Sequence, residues 1–149
     1  MNIVKNIKQY NESNVFFFEP IKNNIVNEAC FIRINYSTQR FTLNGIFLLV
    51  TLIDCVYDKY FNKSRCIFDI NTNKDIISKL KNIEEGILSK INICNKCATY
   101  KINEQLLTGS IKTYDEFIKT TDSSFILKIS GVWETQFNYG LTYKFIKIT

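Results

Sequence analysis

The order of hydrophobic periods along this 149-residue chain predicts a β-rich α+β fold: one short and three longer strand-like stretches, one long amphipathic helix, an irregular segment and a closing pair of alternating strands. Composition agrees. With 46% hydrophobic and 22% charged residues, the chain has the make-up of one globular domain with a real core, spanning residues 1–149. One proline and five glycines leave no Pro/Gly/Ser-rich linker to divide it.

Residues 1–13 are polar with few anchors and read as a loosely attached lead-in with at most one helical turn. Val15-Phe16-Phe17-Phe18 is a short strand closed by Glu19-Pro20, because proline cannot continue a ladder and holds its predecessor extended. From Ala29 to Tyr36, Ile32, Ile34 and Tyr36 alternate with Phe31, Arg33 and Asn35, the signature of a half-exposed strand. Ser37-Thr38-Gln39 is a turn. Phe41 to Val56 is a long apolar stretch broken at Asn44-Gly45, and the Val, Ile, Thr, Phe and Tyr content of Ile46 to Tyr60 favours strand over a competing helix there. Residues Tyr60 to Ser64 separate it from a further strand, Arg65 to Ile70.

The period then changes. Ile76, Ile77, Leu80, Ile83, Ile87, Leu88 and Ile91 fall on one helical face, with Lys79, Lys81, Glu84, Glu85 and Lys90 largely on the other, predicting a helix over residues 73–92. Asn71, Thr72 or Asn73 supplies its N-cap, and Asp75 suits its first turn. Cys94 to Asp122 is mixed, with short strands expected near residues 98–102 and 110–114. Ser124 to Trp133 and Tyr139 to Ile148 form a hairpin in which Phe125, Leu127 and Ile129 face one way, and Tyr139, Leu141, Tyr143 and Phe145 share a side of the second arm.

Leaving aside the short stretch at residues 15–18, three strands, a helix and two strands is the order of an OB-like five-stranded Greek-key barrel with one helix between strands 3 and 4, an architecture whose sheet face and loops take up oligonucleotides. The segment Leu127-Lys128-Ile129-Ser130-Gly131-Val132-Trp133-Glu134, followed by Asn138-Tyr139-Gly140-Leu141-Thr142-Tyr143-Lys144-Phe145-Ile146, resembles the last two strands of OB-fold single-stranded-DNA-binding proteins of phages and nucleocytoplasmic large DNA viruses. Phe31 to Ser37 with Thr42 to Ile46 also resembles uncharacterised proteins of those viruses. The resemblance covers about a third of the chain and implies binding of single-stranded nucleic acid. The final Lys147-Ile148-Thr149 departs from the acidic tail that many replicative members carry.

Charge permits that function. The net +5, with a sequence pI near 8.9, is spread over both halves without a Lys/Arg run, so a phosphate-binding footprint must be assembled by folding. The absence of histidine removes His-based triads, His general bases and imidazole zinc sites. The first ten residues carry no apolar signal segment and the run Ile46–Ile53 is too short to span a bilayer, so the expectation is no membrane association and no secretion. Five cysteines, an odd number, suggest free thiols in a reducing, intracellular setting, the host cytoplasm or a viral factory if the source is viral. Isoleucine, asparagine and lysine are the three commonest residues, a bias of AT-rich genomes that points to a parasite, an endosymbiont or a large DNA virus.

Sequence-independent binding of a single strand needs cations along the backbone and flat rings for the bases. The candidates are Arg33 with Tyr36; Arg40; Tyr57, Lys59 and Tyr60 with Lys63 and Arg65; Trp133 with Phe137 and Tyr139; and Lys128, Tyr143 and Lys144 on the closing hairpin. Each ring could equally pack the barrel, and the turn positions Tyr57, Tyr60, Phe137 and Tyr139 have the least core to fill. Cys94-Asn95-Lys96-Cys97 is half a zinc knuckle; Cys55, Cys66 or a second subunit would have to complete it, so no metal or other cofactor is expected and a homo-oligomer is left open. As a redox CxxC it follows a helix instead of opening one. The acids Asp54, Asp58, Asp69 and Glu134 are scattered, and Asp115-Glu116 with Lys119 is the closest nuclease-like grouping, equally explained as a solvated face. No phosphate-loop or dinucleotide motif occurs among the glycines. The expectation is a non-enzymatic binder of single-stranded nucleic acid in viral replication or repair. The alternative is a viral structural or assembly protein acting through protein contacts.

Overall fold

The computed structural model describes residues 4–22, 29–60, 63–113 and 123–148. In chain order they form β1 (Lys5–Asn6), two 3-10 turns (Ile7–Gln9 and Glu12–Asn14), β2 (Val15–Phe17), β3 (Ile21–Lys22), β4 (Cys30–Ser37), β5 (Thr42–Leu43), β6 (Ile46–Leu52), β7 (Val56–Tyr60) and β8 (Lys63–Ile67). Then follow α1 (Lys74–Ile91), β9 (Cys97–Thr99), α2 (Lys101–Leu107), β10 (Ser110–Thr113), β11 (Ser123–Glu134) and β12 (Asn138–Lys147). The fold is a β-rich α+β one with two helices and mixed sheets.

The long strand β11 organises the larger sheet. β12 runs antiparallel along one edge, while β6 takes the other edge from Ser123 to Ile129 and β4 takes it from Gly131 to Glu134. Two parallel additions make the sheet mixed: β1 on β6, and β9 on β12. β7, β8 and β10 form a separate antiparallel sheet of three strands. Among the described residues, the strand pairings do not close either sheet into a barrel.

Alternation explains the core. Ile32, Ile34 and Tyr36 of β4, Ile46, Leu48, Val50 and Leu52 of β6, and Phe125, Leu127 and Ile129 of β11 are all buried and meet the α1 face of Ile77, Leu80, Ile83, Ile87 and Leu88 in one cluster. At the Asn44-Gly45 turn, Gly45 has φ +134°, and a Cβ there would sit 2.9 Å from the Ile129 carbonyl, so only glycine joins β5 to β6. Two buried polar side chains tie the helices in. Asn73, expected as an N-cap, makes no cap bond; its Oδ1 accepts from Ile53 N at 2.8 Å, and its Nδ2 donates to the Ile53 and Asp69 carbonyls at 3.1 and 3.0 Å. Glu84 accepts from the N–H groups of Ile102 and Asn103, both at 2.9 Å, holding the start of α2 against α1.

Three sequence expectations change. The lead-in is attached: β1 pairs with Leu48 and Leu49, Ile7 and Tyr10 pack on the core, and Asn11 N donates to the Tyr36 hydroxyl at 2.9 Å. Residues 56–60, expected as the end of an apolar stretch and the start of a turn, form β7, because Asp54 at φ 55° reverses the chain early and pairs Val56 with Ile67. The mixed region holds a second helix, α2, whose Ile102 and Leu106, four apart, bury one short face. The remainder of that region, residues 114–122, with Asp115, Glu116 and Lys119, lies outside the described residues.

Candidate nucleic-acid interface

The site begins with a register shift. Strict alternation from Phe125, Leu127 and Ile129 would carry position 133 to the core face, but a β-bulge lies between Ile129 and Gly131. Beyond it Val132 turns inward, 0% exposed, and Trp133 turns to the outer face opposite Gly140 of β12 and Phe31 of β4. The Trp133 ring lies on Gly140: a Cβ there would be 2.6 Å from Trp133 Cζ2. Gly131 is covered in the same way by Phe31. The two glycines make the flat floor on which these rings rest.

Cations gather around that floor. Lys128 and Lys144 stand directly opposite each other on β11 and β12, with Phe47 of β6 next in the row and Lys128 Nζ 5.6 Å from its ring centroid. Arg33, exposed on β4, pairs in register with Gly131 one row away from Trp133 and on the same face. Like charges placed opposite each other on a sheet repel, and an anion laid between them relieves the cost.

Past Gly140, where β9 ends, β12 continues from Leu141 to Phe145 without another strand partner among the described residues. A groove of about 470 Å³ runs along this edge, with Trp133, Tyr143, Phe145 and Lys144 on the β12 side and Lys101 and Gln105 of α2 and Lys112 of β10 on the other. Tyr143 is fixed in it: its hydroxyl donates to Gln105 Oε1 at 2.5 Å, with the Lys101 carbonyl at 3.2 Å. Burial, then the Glu84 and Glu104 carboxylates, push its pKa up to about 12, so it stays a neutral hydroxyl. A second depression, lined by Lys63, Ser64, Arg65 and Lys112, adjoins the groove through the shared Lys112. Arg65 pairs with Asp58 at 2.6 Å across the β7–β8 ladder, and Lys112 stands opposite Arg65 on β10. Among the described residues, Lys112, Lys128 and Lys144 form no ion pair.

The sequence candidates divide accordingly. Arg33, Lys128, Trp133, Tyr143 and Lys144 come together, and Lys63 and Arg65 line the adjoining depression. Phe137 is 66% exposed at the tip of the β11–β12 turn, near Trp133 but outside the groove lining. Arg40 stands exposed at the β4–β5 turn, at the end of β4 far from Phe31, and Lys59 is exposed on β7; neither lines the groove. Tyr60 belongs to β7, and its side chain lies outside the described residues. Three rings are corrections. Tyr36, 2% exposed, stacks on Tyr10 and accepts from Asn11; Tyr57, 9% exposed, donates to Ser123 under the Lys147 ammonium; and Tyr139, 5% exposed, is core. In each case alternation puts the ring on the inner face, where no base can reach it. Lys101 and Lys112 went unnoticed among the candidates, although the alternation of Ile111 with Lys112 in an expected strand carried the signal for the second.

Other chemistry finds little footing. Cys94 is exposed on a turn and Cys97 is exposed at the start of β9, while Cys55 and Cys66 are buried in the core, where burial and the neighbouring Cys55 push the Cys66 thiol well above its usual pKa. All five cysteines are free thiols, and among the described residues no three metal-capable side chains converge. Asp58 and Glu134 are committed to Arg65 and Lys96, and Asp69 caps Thr72. Among the described residues no helix is long and apolar enough to cross a membrane. No protein-family model, curated protein or solved structure matches the chain.

Proposed function

We propose that this protein binds single-stranded nucleic acid without catalysing a reaction, laying bases on Trp133 and its neighbouring rings and phosphates on Lys101, Lys112, Lys144 and Lys128. The observation that carries the reading is the convergence of three lysines and three aromatic side chains, drawn from α2, β10, β11 and β12, on one groove. The opposed pair Lys128 and Lys144 supports it, since an unneutralised like-charge pair is unfavourable until an anion arrives. An OB-like arrangement is supported by β11, long, bulged and shared between β4 and β6, although α1 falls between β8 and β9 and not between a third and fourth strand. The Ile/Asn/Lys-rich composition fits an AT-rich, virus-like source, where the role proposed for such a binder is replication or repair.

The test is the anisotropy of a labelled, unstructured oligonucleotide across a salt series. Three or four phosphate contacts give a slope of log K against log salt of about −2 to −3. Trp133→Ala weakens binding by about 5- to 150-fold, the loss of one stacked base, and Lys112→Gln with Lys144→Gln makes the slope shallower by about 1.4. An oligonucleotide that fails to bind at low salt, or binds the double variant with an unaltered slope, overturns the reading.

A second reading, assembly through protein contacts, draws on Phe16, Phe18 and Ile21, which are 53%, 48% and 56% exposed on and between the short strands β2 and β3. Its signature is self-association that Phe16→Ser and Ile21→Ser abolish, in a protein indifferent to oligonucleotides.

A further inference from the structure

The depression beside the groove has a different character from the groove itself. It is more enclosed, about 220 Å³, and its described lining, Lys63, Ser64, Arg65 and Lys112, contains three cations and no aromatic ring, Ser64 being buried with its side chain on the other face of β8. Arg65 and Lys112 occupy directly opposed positions on β8 and β10, and Lys63 lies two residues from Arg65, so all three project from one face of the small sheet. Asp58 takes Nη2 of Arg65 at 2.6 Å and orients the guanidinium, whose Nε is buried without a hydrogen-bond partner. Three cations on one face, with no ring among the described lining residues, suit a phosphate better than a base. Lys112 joins it to the groove where the bases lie.

We infer that this depression receives the terminal phosphomonoester of a nucleic-acid strand whose adjoining bases stack along the Trp133 groove, which makes the protein a reader of phosphorylated strand ends. The inference rests on the function proposed above and specifies which part of the strand is recognised. An internal phosphodiester carries one charge, and the chain must leave on both sides of it. A terminal phosphate carries about two charges and three acceptor oxygens and needs only one exit. The cup supplies three cationic donors and adjoins the groove at Lys112, which matches the second geometry.

The experiment compares one oligothymidylate in three forms, with a 5′-phosphate, with a 3′-phosphate and with hydroxyls at both ends, each titrated by anisotropy at matched ionic strength. The expected result is that one phosphorylated form binds about tenfold more tightly than the unphosphorylated strand, the worth of one charge-assisted hydrogen bond. That ratio falls towards one in Lys63→Gln and in Arg65→Gln, while Lys128→Gln, remote from the cup, weakens all three strands and keeps the ratio. Because Arg65→Gln strips Asp58 of its partner and can disturb the small sheet, the exposed Lys63→Gln carries the test if Arg65→Gln fails to fold. Three strands that bind alike overturn the inference and leave the single-strand reading standing. A ratio that survives Lys63→Gln and Arg65→Gln overturns the placement in this cup. If no strand binds at low salt, the reading and the inference fall together.

Discussion

Asn73→Ala is the sharpest test of how the two halves of the chain are joined. The side chain is 3% exposed and makes three hydrogen bonds: it accepts from Ile53 N at 2.8 Å and donates to the Ile53 and Asp69 carbonyls at 3.1 and 3.0 Å. It therefore fastens the end of β6 to the start of α1. Alanine removes all three bonds and strands the polar groups of Ile53 in a part-buried place. At about 1 kcal/mol net for each bond, the loss is about 3 kcal/mol, or about 10 °C in melting temperature for a chain of this length. The assay is urea unfolding followed by far-UV circular dichroism and by Trp133 fluorescence. Asn73→Asp separates polarity from shape, because it keeps the acceptor for Ile53 N and sets a carboxylate oxygen against two carbonyls. It destabilises at least as much as alanine at pH 7 and recovers in acid, where the protonated group donates again. If Asn73→Ala costs less than about 0.5 kcal/mol with an unchanged denaturant slope, the three bonds do not couple sheet to helix and the argument is wrong.

Burial raises the pKa of Glu84 above its ordinary value of 4.5, against the lowering effect of the Asn103 and Ile102 N–H groups. A raised folded-state pKa contributes stability that is complete below the ordinary value and lost as pH rises through the raised one, so the stability of wild type relative to Glu84→Gln falls as the pH climbs above the ordinary carboxyl range; a difference that stays flat refutes this. Gly140→Ala places a methyl 2.6 Å from the Trp133 ring and 2.8 Å from the Thr99 carbonyl, costing about 1–3 kcal/mol and shifting the Trp133 emission; unchanged emission would show that the ring does not rest there. Tyr36→Phe deprives Asn11 N and Asn14 Nδ2 of their acceptor and costs about 1–2 kcal/mol without altering oligonucleotide affinity, since its ring is buried; a loss of affinity would restore Tyr36 to the binding surface.

Lys128, Trp133, Tyr143 and Lys144 were legible from their place on an alternating hairpin, but the outward facing of the Trp133 ring was not, because the bulge at Ser130 moves Trp133 from one face to the other. Tyr57 and Tyr139 misled for the same kind of reason: both sit close to turns in sequence, yet strand pairing carries their rings into the core. The α2 helix escaped notice because a seven-residue amphipathic segment shows fewer than two turns of periodicity.

Local periodicity determined the β-rich α+β class, the α1 helix to within a residue at each end, the β4 and β6 strands and the closing hairpin, because each is written in the alternation or the helical spacing of neighbouring residues. Composition by itself removed imidazole chemistry. The tertiary structure alone decided that β11 divides its edge between β6 and β4, that β9 pairs with β12 only as far as Gly140, and that Lys101 and Lys112 arrive beside the rest of β12 from distant elements. These are long-range pairings, set by which hydrophobic faces can be buried together. A charge spread evenly along the chain becomes a local surface only once those faces have met.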